Sequence, residues 1–330
     1  MASPATRAAI SAVDPLTTSP GIVGVGGALP PSVVENAAIT PLIGVSEEWI
    51  VKRTGISSRR YADPRAELAE LAAQAGAAAL RDARLDASQI DLVLVASCSQ
   101  DSVMPNAAPV VAHTLGTGEA GAFDIGSACT GFIAALAAAR GMLIAGAASN
   151  ALVIGAEIMS RHVDPNDRNT AALFGDGAGA VVCSAYAAGA IGPVVLGSDG
   201  SHRDLIVADR DTGLLAMDGH ETFKQAVRRL AEGTAAACER ASVALDEIDL
   251  FIYHQANSRI LRSLAERLGV PPVKLFDCIA ELGNTSAASV PLALAQARAD
   301  GRLRAGQRIV LAAAGAGFTW GACVVEWGGQ

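Results

Sequence analysis

Cys129 lies in Asp124-Ile-Gly-Ser-Ala-Cys-Thr-Gly-Phe132, between a short apolar run and a long Ala-rich segment. That junction predicts a helix N-terminus, where free N–H groups and the positive end of the dipole stabilise a thiolate, so a pKa below the roughly 8.5 of a free thiol is expected. Gly126, Ser127, Ala128 and Gly131 are small and leave room for a bulky group to approach the sulfur. The chemistry is that of a nucleophile. A free cysteine is more often a small buried hydrophobe, and Cys98, Cys183, Cys238, Cys278 and Cys323 fit that description. None forms a C-x-x-C pair or has metal-ligand spacing, so no metal site is expected.

The second half holds three further segments with more polarity than packing requires. Tyr253-His-Gln-Ala-Asn257 places His254 at the end of an apolar run, where active-site residues of α/β folds gather. Gly283-Asn-Thr-Ser-Ala-Ala-Ser289 is a polar turn before a helix, which also reads as an ordinary capping run. Gly315-Ala-Gly-Phe-Thr-Trp-Gly321 reads as a loop after a strand, either a tight turn or a source of N–H groups for an oxyanion. Cys, His and Asn in that order also suit a papain-like hydrolase. That reading lacks the local cysteine signature and does not explain the duplication described next.

These residues need rigid elements behind them. Strand character appears at 21–26, 92–97, 122–125, 151–155, 179–184, 250–254, 308–312 and 322–326, and helical composition at 67–82, 130–147, 221–242, 257–268 and 286–299. The alternation predicts an α/β fold with a largely buried sheet. Ile90-Asp-Leu92 recurs as Ile248-Asp-Leu250, Gly76-Ala-Ala-Ala79 as Gly233-Thr-Ala-Ala236, Leu152-Val-Ile-Gly-Ala156 as Ile309-Val-Leu-Ala-Ala313, and Gly179-Ala-Val-Val182 as Gly321-Ala-Cys-Val324. Their shared order implies two similar halves, 20–189 with the cysteine and 190–330 with the histidine and asparagine, and a site where they join.

Composition narrows the class. With 330 residues, 51% of them hydrophobic, the chain can bury one large core or two fused ones. Residues 1–19 read as a flexible tail without the basic and apolar regions of a secretory signal. The apolar stretch 131–148 is interrupted by Arg140 and reads as a core helix, so no membrane association is expected. A net charge of −8 with no basic run gives no footprint for nucleic acid. Scattered cysteines suggest a reducing cytoplasm.

Taken together, the segments resemble the β-ketoacyl-acyl carrier protein synthase III family of thiolase-fold condensing enzymes. The likeness runs from 21 to 326 through Glu48-Trp-Ile-Val-Lys-Arg-Thr-Gly-Ile56, the Cys129 motif, Phe174-Gly-Asp-Gly-Ala-Gly179, His254-Gln-Ala-Asn257, the 283–289 turn and Gly317-Phe-Thr-Trp-Gly321. It implies two duplicated βαβαβαββ halves in a five-layer αβαβα arrangement, usually as a homodimer.

It also implies chemistry. Cys129 would accept an acyl group from acyl-CoA, and condensation with malonyl-acyl carrier protein would follow with loss of CO₂. The N–H groups of Cys129 and Ala316 would form the oxyanion hole. His254 Nε2 and the Asn284 amide would donate to the enolate oxygen. Trp49 would stack on the CoA adenine with Arg168 opposite and Arg53 near the phosphates, and Asn257 would sit at the pantetheine tunnel. Lys224, Arg259 and Arg267 would meet the acidic carrier protein. Met104, where a phenylalanine is frequent, would reach across the dimer into the acyl pocket, with Met217 beyond a shortened 175–216 segment. Acyl-CoA is a substrate, and no separate cofactor is implied. The starter group stays open, and two rivals remain: an acyltransferase that does not condense, and a catalytically silent partner subunit.

Overall fold

The computed structural model describes residues 19–328, so the tail expected at 1–19 lies outside the described residues except for Ser19. In order the chain forms β1 (Gly21–Ala28), β2 (Ser32–Glu35), α1 (Asn36–Ile43), α2 (Glu47–Thr54), β3 (Ser58–Tyr61), α3 (Leu68–Ala83), β4 (Leu92–Ala96), α4 (Ala107–Leu115), β5 (Gly121–Ile125), α5 (Gly131–Ile144), β6 (Asn150–Glu157) and β7 (Gly177–Ser184). There follow β8 (Ala190–Ile191), β9 (Val195–Ser198), β10 (Ile206–Ala208), β11 (Leu215–Met217), α6 (Gly219–Ala241), β12 (Leu250–Tyr253), α7 (Ser258–Leu268), α8 (Ile279–Leu282), α9 (Ser289–Ala299), β13 (Arg308–Gly315) and β14 (Thr319–Glu326).

Two mixed sheets result. The first has the order β1-β7-β6-β4-β5, and the second β12-β13-β14-β8, with β9 also on β14. Successive residues of a strand face opposite sides, and here both sides are apolar because helices cover both. Val93, Val95, Leu152 and Ile154 pack outward on α3 and α4. Leu92, Leu94, Val153, Leu250, Ile252, Ile309 and Leu311 pack inward around α5 and α9, between the sheets. Phe251, Tyr253, Val310 and Val324 face α6 and α7 on the far side. The layers are therefore helix, sheet, helix, sheet, helix.

The internal repeat has a physical basis in the strand starts. Asp91 accepts the N–H groups of Ser149 and Asn150, tying the start of β4 to β6. Asp249 accepts the N–H of Arg308, tying the start of β12 to β13 in the same way. β4 runs parallel to β6 and β12 to β13, with Leu92 opposite Ala151 and Leu250 opposite Ile309. The equivalent of Ile309 is thus Ala151, one residue earlier than the sequence match of Leu152 with Ile309. A strand buried on both faces is a continuous apolar run and carries no alternation to fix its register. The match of Gly179 with Gly321 is in register, since Val182 pairs with Leu152 and Val324 with Val310.

Both central helices begin later than the 130–147 and 286–299 composition suggested. Each is preceded by a 3₁₀ turn, Ala128–Thr130 before α5 and Ser286–Ala288 before α9. Each turn contains a non-glycine residue at positive φ, Ala128 at 43° and Ser286 at 48°. That conformation is costly for an L-residue and gathers at functional sites. β6 passes the second turn so closely that a Cβ on Gly155 would sit 2.2 Å from the Ala287 carbonyl oxygen. The two turns meet between the sheets and bring the Cys129 and Asn284 segments together.

Candidate active site

β5 ends at Ile125, and the chain turns through Ala128 so that Cys129 enters α5 from its N-terminal end. Gly131, expected to clear space for a ligand, instead permits packing: a Cβ there would lie 3.1 Å from Ala96 Cβ and 3.5 Å from Ala287 Cβ. Gly126 does face open space. Burial pushes the Cys129 thiol up to about 11; a hydrogen bond from Ser286 pulls it down, and the Glu157 carboxylate raises it. The expectation of a thiolate stabilised below the ordinary range meets the cost of placing a charge in this interior. Burial therefore favours the neutral thiol at rest.

His254 follows β12 and is 2% exposed. Its N–H donates to the Ala312 carbonyl, which fixes the strand end, and buried Gln255 braces it through the carbonyls of Tyr253 and Phe276 and the N–H of Cys278. Neither ring nitrogen of His254 has a protein partner. Burial lowers its pKa to about 4, so the ring is neutral near pH 7. Two orphaned polar atoms on a buried ring are expensive unless something binds there.

Asn284 is buried beside the second 3₁₀ turn. Its backbone is strapped to the first half, donating to the Leu173 carbonyl at 2.8 Å and accepting from the Gly175 N–H at 3.0 Å. Its Oδ1 accepts the Ser286 N–H at 2.9 Å, which leaves the Nδ2 end of the amide to donate. The Phe174-Gly-Asp-Gly-Ala-Gly179 motif serves this strap: Asp176 accepts from Ala62 and Ser160 and anchors the turn after Phe174.

The Gly-rich segment is shorter as a loop than expected. β13 continues to Gly315 and β14 starts at Thr319, so only Ala316–Phe318 turn. Pairing with β14 carries the strand past the point where small residues suggested its end. Gly315 abuts the nucleophile, since a Cβ on it would be 2.7 Å from Cys129 Cβ and 3.2 Å from Sγ. Thr319 Oγ1 bonds Thr130 Oγ1 at 2.7 Å and donates to the Ala316 carbonyl, fixing the Ala316 peptide beside the cysteine.

The residues assigned to CoA lie farther out. Trp49 is half-buried in α2, and the Arg53 guanidinium sits 5.1 Å from its ring centroid, so Arg53 covers a face of the indole. Arg168 is exposed in the segment between β6 and β7. Asn257 caps α7 through Oδ1 to the Arg259 N–H, and its Nδ2 donates to the Arg53 carbonyl, joining α7 to α2. Met104 is 82% exposed, and Met217 ends β11 half-buried. Lys224 pairs with Glu221, Arg259 lies over the Phe223 ring, and Arg267 is exposed. Among the described residues, no cluster of His, Cys, Asp or Glu could hold a metal ion, and no helix is long and apolar enough to cross a membrane.

Two residues escaped the sequence reading. Glu157, 0% exposed at the end of β6, accepts from Ser97 and Ser99 hydroxyls, the Cys98 N–H and thiol, and the Ser286 hydroxyl. Cys98, read as a buried hydrophobe, belongs to an exposed residue whose Sγ turns inward to this carboxylate. The available signal was a lone acid closing the apolar run 151–156.

His254 gives a stability prediction. The unfolded histidine takes its proton near 6.5 and the folded one near 4, so protons favour the unfolded chain across that interval. The stability present above pH 6.5 is lost as pH falls toward 4, by about 3 kcal/mol. Urea unfolding of His254→Gln across this range is expected to show a correspondingly shallower loss; identical slopes in the two proteins would refute the assignment.

Comparison with known proteins agrees with this arrangement. The family model described as 3-Oxoacyl-[acyl-carrier-protein (ACP)] synthase III matches residues 123–200, and its C-terminal counterpart matches 238–327. The chain is 44% identical over 311 residues to β-ketoacyl-[acyl-carrier-protein] synthase III 2 of Streptomyces coelicolor, covering 93% of this chain and 94% of that one. It is 45% identical over 319 residues to the synthase III of Bradyrhizobium diazoefficiens, covering 93% and 98%. Among solved structures, the 3-oxoacyl-[acyl-carrier-protein] synthase III of Aquifex aeolicus superposes with a TM-score of 0.91 at 41% identity, covering 93% of this chain and all of that one. The priming β-ketosynthase of the R1128 polyketide pathway gives 0.88 at 35%, covering 93% and 95%. With its two-sheet fold and the Cys129, His254 and Asn284 segments gathered between the sheets, this chain belongs to the β-ketoacyl-acyl carrier protein synthase III family of thiolase-fold condensing enzymes.

Proposed function

We propose that this condensing enzyme primes fatty acid or polyketide synthesis, acting as an acyltransferase that moves an acyl group from acyl-CoA to Cys129 and joins it to malonyl-acyl carrier protein. The observation that carries this reading is a neutral, buried His254 with both ring nitrogens unpartnered, together with an Asn284 amide whose carbonyl end is already taken. Decarboxylation of a malonyl thioester builds enolate charge on oxygen, and it needs aimed neutral donors rather than a strong base. The Cys129 thiolate attacks the acyl-CoA thioester, the N–H groups of Cys129 and Ala316 hold the tetrahedral oxyanion, and its collapse breaks the carbon–sulfur bond to CoA, whose thiolate takes a proton and leaves before malonyl-acyl carrier protein binds. Loss of CO₂ then gives the enolate, held by His254 Nε2 and Asn284 Nδ2, whose carbon attacks the acyl-Cys129 carbonyl and expels the thiolate. Every step uses side chains, backbone and substrate thioesters, so no cofactor is assigned.

Trp49, Arg53, Arg168 and Asn257 are assigned to CoA, with the Trp49–Arg53 stack supporting a planar base at the exposed face of the indole. Lys224, Arg259 and Arg267 are assigned to the carrier protein. Met104, exposed in the single chain, is assigned to the acyl pocket of a second copy in a homodimer, with Met217 in the pocket wall. A cytoplasmic setting suits these substrates.

The test is a panel of acyl-CoAs followed by malonyl-acyl carrier protein. The expected result is one covalent acyl group on Cys129, absent from Cys129→Ala, then CO₂ release and a β-ketoacyl product. No acylation by any member of the panel would overturn the reading, and acyl transfer without CO₂ release would leave the non-condensing rival in its place.

A further inference from the structure

The two N–H groups assigned to the oxyanion come from opposite halves of the chain, Cys129 from the turn before α5 and Ala316 from the turn after β13. Both must reach one oxygen, each within about 2.7–3.1 Å, so the spacing between the halves decides whether the hole forms. Each donor has a threonine beside it. Thr130, next in the chain to Cys129, is 1% exposed, and its Oγ1 lies 2.7 Å from the Oγ1 of Thr319, 189 residues away. Thr319 Oγ1 donates in turn to the Ala316 carbonyl at 3.0 Å. A hydroxyl has one proton to give. The Thr319 proton goes to Ala316, so the Thr130 proton goes to Thr319, and both contacts are satisfied. We propose that Thr130 is a positioning residue for acyl transfer, its hydroxyl acting through Thr319 to hold Ala316 and the Cys129 turn at the separation the oxyanion needs. This deepens the acyl-transfer reading and rests on it.

The distances separate a hydrogen-bonding role from plain packing. Two oxygens 2.7 Å apart are at the ordinary length of an O–H···O bond. A carbon in place of either oxygen prefers about 3.5 Å or more, so the two turns stand this close only because a hydrogen bond joins them. The neighbouring contacts leave little slack: a Cβ on Gly315 would be 3.3 Å from the Cys129 nitrogen and 2.7 Å from its Cβ. Ala316 follows Gly315, and its N–H and carbonyl groups flank one Cα, so a bond that fixes the carbonyl also limits where the N–H points. On the far side of the turn, Phe318 exchanges two backbone hydrogen bonds with Asp199, at 2.8 and 3.0 Å. That pair holds Phe318. Among the described residues, Thr319 is the side chain that bonds Ala316.

Such a role has a kinetic signature. Thr130→Ala removes the bond to Thr319 but keeps every backbone group. The maximal rate of Cys129 acylation is expected to fall about 10- to 100-fold, less than the roughly 10²–10³ lost with a whole oxyanion donor. The acyl-CoA concentration giving half that rate is expected to stay within about twofold, because what Thr130 bonds is not among the residues assigned to CoA. Thr130→Ser keeps the hydroxyl and is expected to stay within about threefold of wild type. Thr130→Val is expected to be slowest, because its added methyl also drives the turns apart. Alkylation by iodoacetamide displaces iodide at a saturated carbon and forms no oxyanion, so its rate at Cys129 is expected to stay within about twofold in all three variants.

Peptide mass after digestion follows both reactions on Cys129, with acetyl-, butyryl-, isobutyryl- and octanoyl-CoA as acyl donors. The same digest reports folding, because Cys183 and Cys323 are 0% exposed and are alkylated only if the core opens. Thr319→Ala breaks the bond from the other half. Because the two hydroxyls act through one bond, the double variant is expected to acylate no more slowly than Thr319→Ala alone. Equal slowing of acylation and alkylation would mean a displaced thiol rather than displaced oxyanion donors and would overturn the assignment. Additive losses in the double variant would do the same. Should Thr130→Ala open the core, the contrast of Thr319→Ala with Thr319→Ser decides the matter from β14. Acylation of Thr130→Ala at the wild-type rate strikes this inference alone, whereas a wild-type protein that is alkylated at Cys129 but acylated by none of the four donors refutes the acyl-transfer reading and takes the inference with it.

Discussion

Asn284→Asp is expected to lower decarboxylation of malonyl-acyl carrier protein by about 10²–10³-fold, the usual cost of losing one oxyanion donor. The substitution changes one atom. Aspartate keeps an oxygen to accept the Ser286 N–H, and the backbone strap through Leu173 and Gly175 does not involve the side chain at all. What is lost is the Nδ2 donor, replaced by an acceptor that carries charge and repels an enolate. Acylation of Cys129 is expected to stay within about tenfold, because the donors proposed for that tetrahedral oxyanion are the backbone N–H groups of Cys129 and Ala316, not Asn284. CO₂ release and intact mass, measured on the same sample, separate the two half-reactions. Decarboxylation at the wild-type rate would remove Asn284 from the enolate site, and equal losses in both steps would mean a general distortion. Partial recovery at acid pH is a further expectation, since a protonated aspartate donates again.

That separation was half legible in the sequence. Cys129, His254 and Asn284 lie in short polar or small-residue segments between long apolar ones, and such interruptions of a buried pattern stand out. The α/β class and a largely buried sheet were legible for a related reason, since apolar runs alternate with Ala-rich helices, whereas the five-layer stacking came from the family resemblance. The register of the repeat was not, because Leu152 and Ala151 are equally acceptable in a strand buried on both faces. Electrostatics was least legible. A helix start argues for a thiolate at Cys129, but the opposing desolvation depends on what surrounds it, Gly315 and the Glu157 carboxylate among it, which come from distant parts of the chain. Glu157 looked like the polar end of a strand, and Ser286 like one candidate cap among several. Only the folded chain brings the two within 2.9 Å.

Gly315→Ala is expected to slow Cys129 acylation by about 100-fold, the scale on which a displacement of about 1 Å at a reacting centre is felt. Gly315 does not have positive φ, so alanine meets no backbone penalty and the whole effect is contact. The new Cβ would stand 2.7 Å from Cys129 Cβ, 3.2 Å from Sγ and 3.3 Å from the Cys129 nitrogen. None of these is the far end of a flexible chain, so the clash cannot be relieved by a rotamer change. Either the 3₁₀ turn carrying Cys129 moves away from Ala316, or the end of β13 moves and takes Ala316 with it; both separate the proposed nucleophile from its proposed oxyanion donor. Overpacking of this kind costs about 1–3 kcal/mol in stability, a loss too small to account for the kinetic effect in a chain that remains folded. Gly126→Ala provides the comparison for folding, because a Cβ there meets nothing within 4 Å although the residue lies three positions before the cysteine. Thermal unfolding of both variants, with acylation rates measured well below their midpoints, tests the argument. A Gly315→Ala enzyme that acylates at the wild-type rate would show that the approach of β13 to Cys129 is packing alone, and that the Ala316 peptide is not aimed at the reacting carbonyl.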